Sequence, residues 1–416
     1  MYKEISKCRV CSNTKLKTVI NLGAQKLTGV FPLPGEFVDD GPLELVKCEG
    51  ESGCGLVQLR HSCDTSQMYG LNYGYRSGLN QSMVEHLSNI TSYIKRMVTF
   101  DTGDIVLDIG SNDGTLLGTY CFDENKNIHL CGMDPTAVKF KQYYKSGIEV
   151  IEDFFSANNF VSRFGTEKKA KVITSIAMFY DLEDPIAFAK QVEQCLDENG
   201  IWVFEQSYMP FMIQARSFDT ICQEHLEYYS MKQIQWILDE AELKIIDVDF
   251  NNVNGGSFRI TAAKKNSTYE KSNKVDQALI SEAINGYNSF EIFEEFRSSI
   301  DDCKNECLEF LNKCKNDNKR VIGYGASTKG NVLLQYFGIT PDLLPFIAEV
   351  NQDKFGHTTP GTEIPIISET EARSMKPDYF FVLPWHFKNN ILDKERAYMA
   401  ESGCKFVFPL PKFSIY

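Results

Sequence analysis

No stretch of about 18 apolar residues runs uninterrupted through the 416-residue chain, which speaks against a membrane-spanning helix. The opening Met1–Val10 lacks the apolar run of a secretory signal, so the expected location is the cytoplasm. Positive charge is also short: 43 Lys and Arg face 56 Asp and Glu, a formal net charge of −13. A nucleic acid or an anionic membrane would require a basic patch, so neither is an expected partner. A small anionic substrate in a local basic pocket stays compatible with that balance. The length calls for two or three domains.

Cysteine, by contrast, is plentiful at 13 residues. In a cytosolic chain these are thiols or metal ligands rather than disulfides. Cys303, Cys307 and Cys314 recur at helical spacing with Ile300, Leu308 and Leu311, the pattern of a packed stripe. Cys121, Cys131, Cys195 and Cys404 stand alone in apolar or turn contexts and are read as packing too. The N-terminal group differs. Cys8-Arg-Val-Cys11 is a knuckle that offers two thiolates to one tetrahedral zinc, and Cys48 with Cys54 supplies a second, wider-spaced pair. Either Cys54 or Cys63 completes the set. Four sulfurs leave no open position, so this zinc is expected to be structural. The Gly- and Pro-rich segment between the pairs needs such a staple to fold.

The middle of the chain turns on Val106-Leu-Asp-Ile-Gly-Ser-Asn-Asp-Gly-Thr-Leu-Leu117. A short buried strand runs into a glycine turn and a helix start, which brings backbone N–H groups close to a ligand. The next apolar run, His129–Met133, ends in Asp134, where a doubly wound fold keeps an acid for a ribose diol. Strands are expected at Ile105–Ile109, Ile128–Met133, Ile148–Ile151, Lys171–Ile176 and Gly200–Glu205, after a helix over Met83–Val98. This is the rhythm of a parallel sheet covered by helices on both faces. Asp153 and Phe154 follow the third strand, where an acid and apolar neighbours would flank an adenine. Tyr180 and Asp181 follow the fourth, in the loops that line the site of such sheets. Asp181 is as readily a helix cap ahead of Pro185.

Residues 205–230 hold His225, whose unperturbed pKa near 6.5 allows proton transfer at neutral pH. Glu224 beside it could share that role, and Tyr228 and Tyr229 add hydroxyls. His61, His86, His129 and His357 lack such surroundings; His386, in Leu-Pro-Trp-His-Phe, is the one possible exception. The aromatic, glycine-rich stretch around Tyr75 and Arg76 either packs on a surface or covers a ligand. Gly255 and Gly256 form a turn before the strand that carries Arg259, and a plain hairpin accounts for them equally. Residues 270–318 read as a helical connector. A second strand–glycine turn–helix follows at Val321–Gly330, with Glu349 as its acid and Lys329 suited to a diphosphate.

The glycine turn with Asp134 resembles the cofactor site of class I S-adenosylmethionine-dependent methyltransferases. The series Cys8-x2-Cys11, Tyr73-Gly-Tyr-Arg-Ser-Gly78, Asp108-Ile-Gly-Ser-Asn-Asp-Gly114, Asp219-Thr-Ile-Cys-x-Glu-His225, Gly255-Gly-Ser257 and Gly323-Tyr-Gly-Ala-x-x-Lys-Gly330 resembles, over nearly the whole chain, the three-domain sugar C-methyltransferases that act on nucleotide-linked ketosugars. The resemblance implies an α/β fold with a zinc domain (1–70), a central Rossmann-like methyltransferase domain (71–265), and a connector with a second Rossmann-like domain (266–416). It implies an S-adenosylmethionine seat at Asp108, Gly110, Asn112, Asp113, Gly114, Asp134, Pro135, Asp153 and Phe154. Catalysis would fall to His225, Glu224 and Tyr180. A nucleoside-diphosphate ketosugar would meet Tyr75, Arg76, Tyr229, Gly255, Gly256, Arg259, Lys329 and Asn331. The chain departs from the family at the wider second cysteine pair and at Asp181, near which relatives carry a His. The expected reaction is methylation of C-3 of a 4-keto deoxysugar by a monomer. The alternatives are an O- or N-methyltransferase and a zinc-bearing nucleotide-binding protein without turnover.

Overall fold

In a computed structural model of the chain, residues 2–63, 76–122 and 126–416 are described. The N-terminal part holds strands β1 (Tyr2–Glu4), β2 (Leu16–Lys26), β3 (Asp40–Cys48), β4 (Val57–Leu59) and β5 (His61–Cys63). The helix Gln81–Met97 then leads to β6 (Ile105–Ile109), β7 (His129–Met133), β8 (Ile148–Ile151), β9 (Ala170–Ile176) and β10 (Leu196–Ser207). A two-residue strand, β11 (Glu227–Tyr228), precedes β12 (Leu243–Asn251) and β13 (Ser257–Lys264). The last unit contains β14 (Val321–Tyr324), β15 (Ile347–Glu349), β16 (Ile366–Ser368), β17 (Tyr379–Val382), β18 (Lys405–Phe408) and β19 (Ser414–Ile415).

The central seven-stranded sheet has the order β12-β13-β10-β9-β6-β7-β8. Its five strands from β10 to β8 are parallel, and β13 joins β10 antiparallel, Glu205 facing Arg259 and Ser207 facing Ser257. Chain order reverses between β6 and β9, so the crevice past their C-terminal ends is the place for a ligand. The second α/β sheet is six-stranded, β16-β15-β14-β17-β18-β19, parallel except for its last edge strand. The connector is not one element: it forms the helices Asn273–Ile284 and Glu291–Asn316, broken where Gly286 takes a φ of +74°.

The small N-terminal sheet, β11-β4-β3-β2, takes its outer strand from the middle of the chain, with Glu227 opposite Gln58 and Tyr228 opposite Val57. The three parts therefore share cores. Cys8, Val10, Cys54 and Leu56 pack in one cluster with Phe179, Tyr229 and Ile234 under the central sheet. The N-terminal strands' Leu43 and Leu45 join a second cluster with Phe218 of the middle part and Leu333 and Phe337 of the last unit. Cys303, Cys307 and Cys314 are buried in the stripe expected of them, whereas Cys121 is exposed rather than packed. Among the described residues no helix is long and apolar enough to cross a membrane.

Candidate active site

The loop after β6 is built for close backbone approach. Gly110 and Gly114 adopt φ of +70° and +73°, and a Cβ on Gly114 would overlap the Tyr144 ring at 2.6 Å, so glycine is required there. Tyr144 closes one side of the loop, its hydroxyl 2.7 Å from Ser111 Oγ and donating to the Asn112 carbonyl at 3.0 Å. Asp134, at the end of β7, accepts from Asn112 N at 2.7 Å and from Thr136 N and Oγ1, each at 2.6 Å. A carboxylate has about four acceptor positions, so one is left for a hydroxyl. Pro135 behind it is half-buried.

Asp108 is the electrostatic key. It is 3 % exposed, accepts from Thr174 Oγ1 at 2.6 Å, and has no cationic partner among the described residues. Burial, helped by nearby Asp134 and opposed by the Thr174 hydroxyl, pushes its carboxyl up to about 7. Asp113 adds a third acid, tied to Arg76 Nε at 3.5 Å. Three acids around one glycine loop fit a donor that carries ammonium and sulfonium charge. Asp108, Gly110, Asn112, Asp113, Gly114 and Asp134 are the residues that would hold it. Asp153 and Phe154 follow β8, where Asp153 accepts from Asn159 Nδ2 at 3.1 Å and Phe154 is exposed.

Beside this loop lies a pocket bounded by Tyr180, Ser207, Tyr208, His225, Tyr228 and the Asn254–Gly256 turn. Tyr180 and His225 meet edge to face, ring centroids 4.5 Å apart, and Leu226 N donates to the Tyr180 carbonyl. His225 Nδ1 lies 3.0 Å from the Thr220 carbonyl. That oxygen can only accept, so Nδ1 carries a proton, and in the neutral ring Nε2 keeps its lone pair. Tyr228 Oη donates to the same carbonyl at 3.2 Å. Glu224, whose carboxyl burial raises and the His225 charge opposes, comes within 4.8 Å of the imidazole. Gly29 of the N-terminal part packs so closely on Glu224 that a Cβ there would stand 2.8 Å from Oε1.

The last unit meets the Asn254–Gly256 turn of this pocket. Lys329 Nζ donates to the Asn254 carbonyl at 2.8 Å and lies close to Gly255, a glycine with φ +94°. Burial lowers its pKa, and Asp219 opposes that shift. Asp219 accepts from Trp385 Nε1 at 2.7 Å and from Ser217 Oγ at 2.9 Å. Burial, with Lys329 adding to it, brings His386 down to about 3, so it is a neutral imidazole.

Of the expected substrate contacts that are described, Arg76, Tyr229, Arg259 and Asn331 lie elsewhere. Tyr75 is outside the described residues. Tyr229 is fully buried against Phe179, in the core beneath the cysteine cluster, because the strand that exposes Tyr228 to the pocket carries the next residue inward. Arg259 pairs with Asp249 at 2.6 Å and covers the Tyr93 ring, being held by its own hairpin. Asn331 is fully buried and donates to the Thr28 carbonyl at 2.8 Å, joining the first and last units. Arg76 is engaged by Asp113 and the Tyr143 ring, so it belongs to the cofactor loop. Glu349 satisfies its own glycine turn through Ala326 N at 2.8 Å. A pair missed in the sequence is His86 with Glu205, 2.5 Å apart and separated by 119 residues, a distance that local pattern cannot bridge.

The cysteines converge as well. The Sγ atoms of Cys8, Cys11, Cys48 and Cys54 lie within 4.8 Å of one another, with Cys8–Cys54 at 3.6 Å and Cys11–Cys48 at 3.4 Å. Zn–S bonds of about 2.3 Å in a tetrahedron set sulfurs about 3.8 Å apart, so the four fit zinc. Cys54 is the fourth member; Cys63 lies in β5, paired with Tyr2. Asn13 Nδ2, 3.5 Å from Cys48 Sγ, steadies the knuckle as an outer hydrogen bond.

Three family models match successive parts of the chain: a zinc binding domain over residues 8–69, a methyltransferase domain over 83–248 and a C-methyltransferase C-terminal domain over 252–411. The chain is 27% identical over 418 aligned residues to the C-methyltransferase NovU of Streptomyces niveus, covering 99% of this chain and 96% of that protein. Among solved structures, an S-adenosylmethionine-dependent methyltransferase from Clostridium acetobutylicum matches 44% of the chain and 92% of its own at 14% identity and a TM-score of 0.32. The CurJ carbon methyltransferase matches 45% of the chain and 56% of its own at 16% identity and a TM-score of 0.34.

Proposed function

We propose that this chain, whose successive parts match a zinc binding domain, a methyltransferase domain and a C-methyltransferase C-terminal domain, methylates C-3 of a 4-keto deoxysugar carried on a nucleoside diphosphate. The observation that carries this reading is the His225 tautomer: with Nδ1–H committed to the Thr220 carbonyl, Nε2 of the neutral ring is left as an acceptor on a side chain that lines the pocket. A carbon acid beside a ketone is the kind of proton such a base removes. O- and N-methylation need no enolate.

His225 Nε2 takes the C-3 proton, and Glu224 stabilises the resulting imidazolium from within 4.8 Å. Tyr180, edge-on to His225, is the hydroxyl assigned to the developing enolate oxygen. When bound, S-adenosylmethionine supplies an electrophilic methyl whose departure leaves a neutral thioether. The protein's task is to align acceptor carbon and donor, since correct placement alone removes much of the barrier. The Gly255–Gly256 turn with Lys329 supplies backbone access and a cation for the nucleotide's phosphates.

The test offers the protein a panel of nucleoside-diphosphate 4-ketosugars in deuterated water with S-adenosylmethionine. The expected product carries one added methyl on carbon, and the C-3 proton exchanges with solvent in a His225-dependent way. Methyl mass gained on oxygen or nitrogen without that exchange overturns the C-3 assignment. No methylated product from any ketosugar overturns the substrate class.

A further inference from the structure

Glu205 is 3 % exposed at the C-terminal end of β10. Its carboxylate is met by His86 Nε2 at 2.5 Å on one oxygen and by Asn251 Nδ2 at 2.9 Å on the other. Its backbone carbonyl accepts from Ala177 N at 2.7 Å, at the start of the loop that carries Tyr180. Two residues on, on the same face of the strand, Ser207 lines the pocket. One residue thus touches the pocket wall, the loop after β9 and the helix Gln81–Met97.

That helix also reaches the cofactor loop. Just before it, Ser77 N donates to Asn112 Oδ1 at 3.0 Å and Gly78 N to Asp113 Oδ2 at 2.9 Å. The helix's apolar anchors, Leu87, Ile90 and Ile94, begin only at its seventh residue, and Gln81 and Ser82 are exposed. In its first turn and a half Met83 adds a partly buried apolar contact, and the polar tie of that stretch to the sheet is His86. Farther along, Tyr93 Oη binds Asp247 Oδ2 at 3.0 Å and Thr261 Oγ1 at 2.9 Å, a second polar tether remote from the cofactor loop.

We propose that His86, oriented by Glu205, is a positioning residue that holds residues 76–78 on the Asn112–Asp113 turn and so fixes the methyl-donor seat relative to the acceptor pocket. The carboxylate demands a donor because a buried acceptor left unpaired is destabilising, and His86 supplies it only when the helix is seated.

The experiment measures S-adenosylhomocysteine binding by calorimetry to the full-length, zinc-loaded protein with no sugar present, so its outcome is independent of the acceptor's identity. His86→Leu is expected to weaken binding about tenfold. His86→Gln, which keeps an N–H donor at the same reach, is expected to bind within about threefold of the parent. Tyr93→Phe, which cuts the remote tether, should leave affinity unchanged. Parental affinity in His86→Leu overturns the proposal, as does an equal loss in the Leu and Gln variants. Should His86→Leu fail to fold, Glu205→Gln is the second probe. A loss of threefold or more is expected there, and parental affinity again overturns the assignment.

Discussion

His225 and Tyr228 converge on one acceptor: Nδ1 of the imidazole and the phenol hydroxyl both donate to the Thr220 carbonyl, at 3.0 and 3.2 Å. The sharing fixes the ring's orientation and its tautomer together. Tyr228→Phe removes one of the two donors, and a cost of about 1 kcal/mol in stability is expected, with a several-fold drop in kcat as the imidazole gains freedom. His225→Ala removes the proposed base, a change expected to cost about 10²–10⁴ in rate. Denaturant melts and single-turnover methylation measure the two effects separately; a Tyr228→Phe enzyme as slow as His225→Ala contradicts these roles.

Asp108 links pH to stability with an unusual sign. Its carboxyl titrates at about 7 in the fold, against about 3.9 in an unfolded chain. Between those values the folded state holds the proton and the unfolded state does not, so this group's contribution falls as pH rises through the window and stays lost above it. The ligand-free protein should melt lower at pH 8 than at pH 5 through this term. Asp108→Asn, which can still accept from Thr174, should flatten that dependence and raise the pH 8 melting temperature. The same variant should bind S-adenosylmethionine at least tenfold more weakly, since it lacks the charge facing the donor's ammonium.

The zinc site separates two thiols that the sequence left equivalent. Cys54→Ser is expected to lose bound zinc by elemental analysis and to melt well below the parent. Cys63→Ser should keep one zinc per chain. Equal zinc content in the two variants would remove Cys54 from the ligand set.

Much of this arrangement was legible in the chain. The strand ending in Asp108-x-Gly110 and the acid at Asp134 declare themselves because glycine turns and buried strands are local patterns. The cysteine cluster of Cys8, Cys11, Cys48 and Cys54 was readable for the same reason, with Cys63 the alternative for its fourth member. Pairings across the sheet were not. Glu205 looked like the polar end of a strand and His86 like an ordinary helical residue, since nothing nearby in sequence records that β10 ends beside that helix. Tyr229 and Asn331 erred the other way: polar residues in motif-rich stretches, they face inward, one toward the aromatic core and one toward the Thr28 carbonyl.

Asn331 carries its own expectation. Its amide ties the last α/β unit to the N-terminal part, where Gln223 Nε2 also donates to the Gln25 carbonyl at 3.1 Å. Asn331→Ala should destabilise the protein by about 1–3 kcal/mol in urea melts by leaving the Thr28 carbonyl unpaired. S-adenosylhomocysteine affinity should not change. A weakened cofactor with parental stability would assign Asn331 to a ligand instead.

The two-residue strand that follows His225 has an implication for engineering. Because Glu227 and Tyr228 complete the N-terminal sheet on Gln58 and Val57, the cysteine-bearing module and the segment that carries His225 are one interlocked part rather than beads on a string. A chimera that exchanges residues 8–63 with those of a relative must transplant residues 217–230 in the same operation. Swapping the first piece alone leaves the imidazole hanging from a sheet edge that no longer matches it.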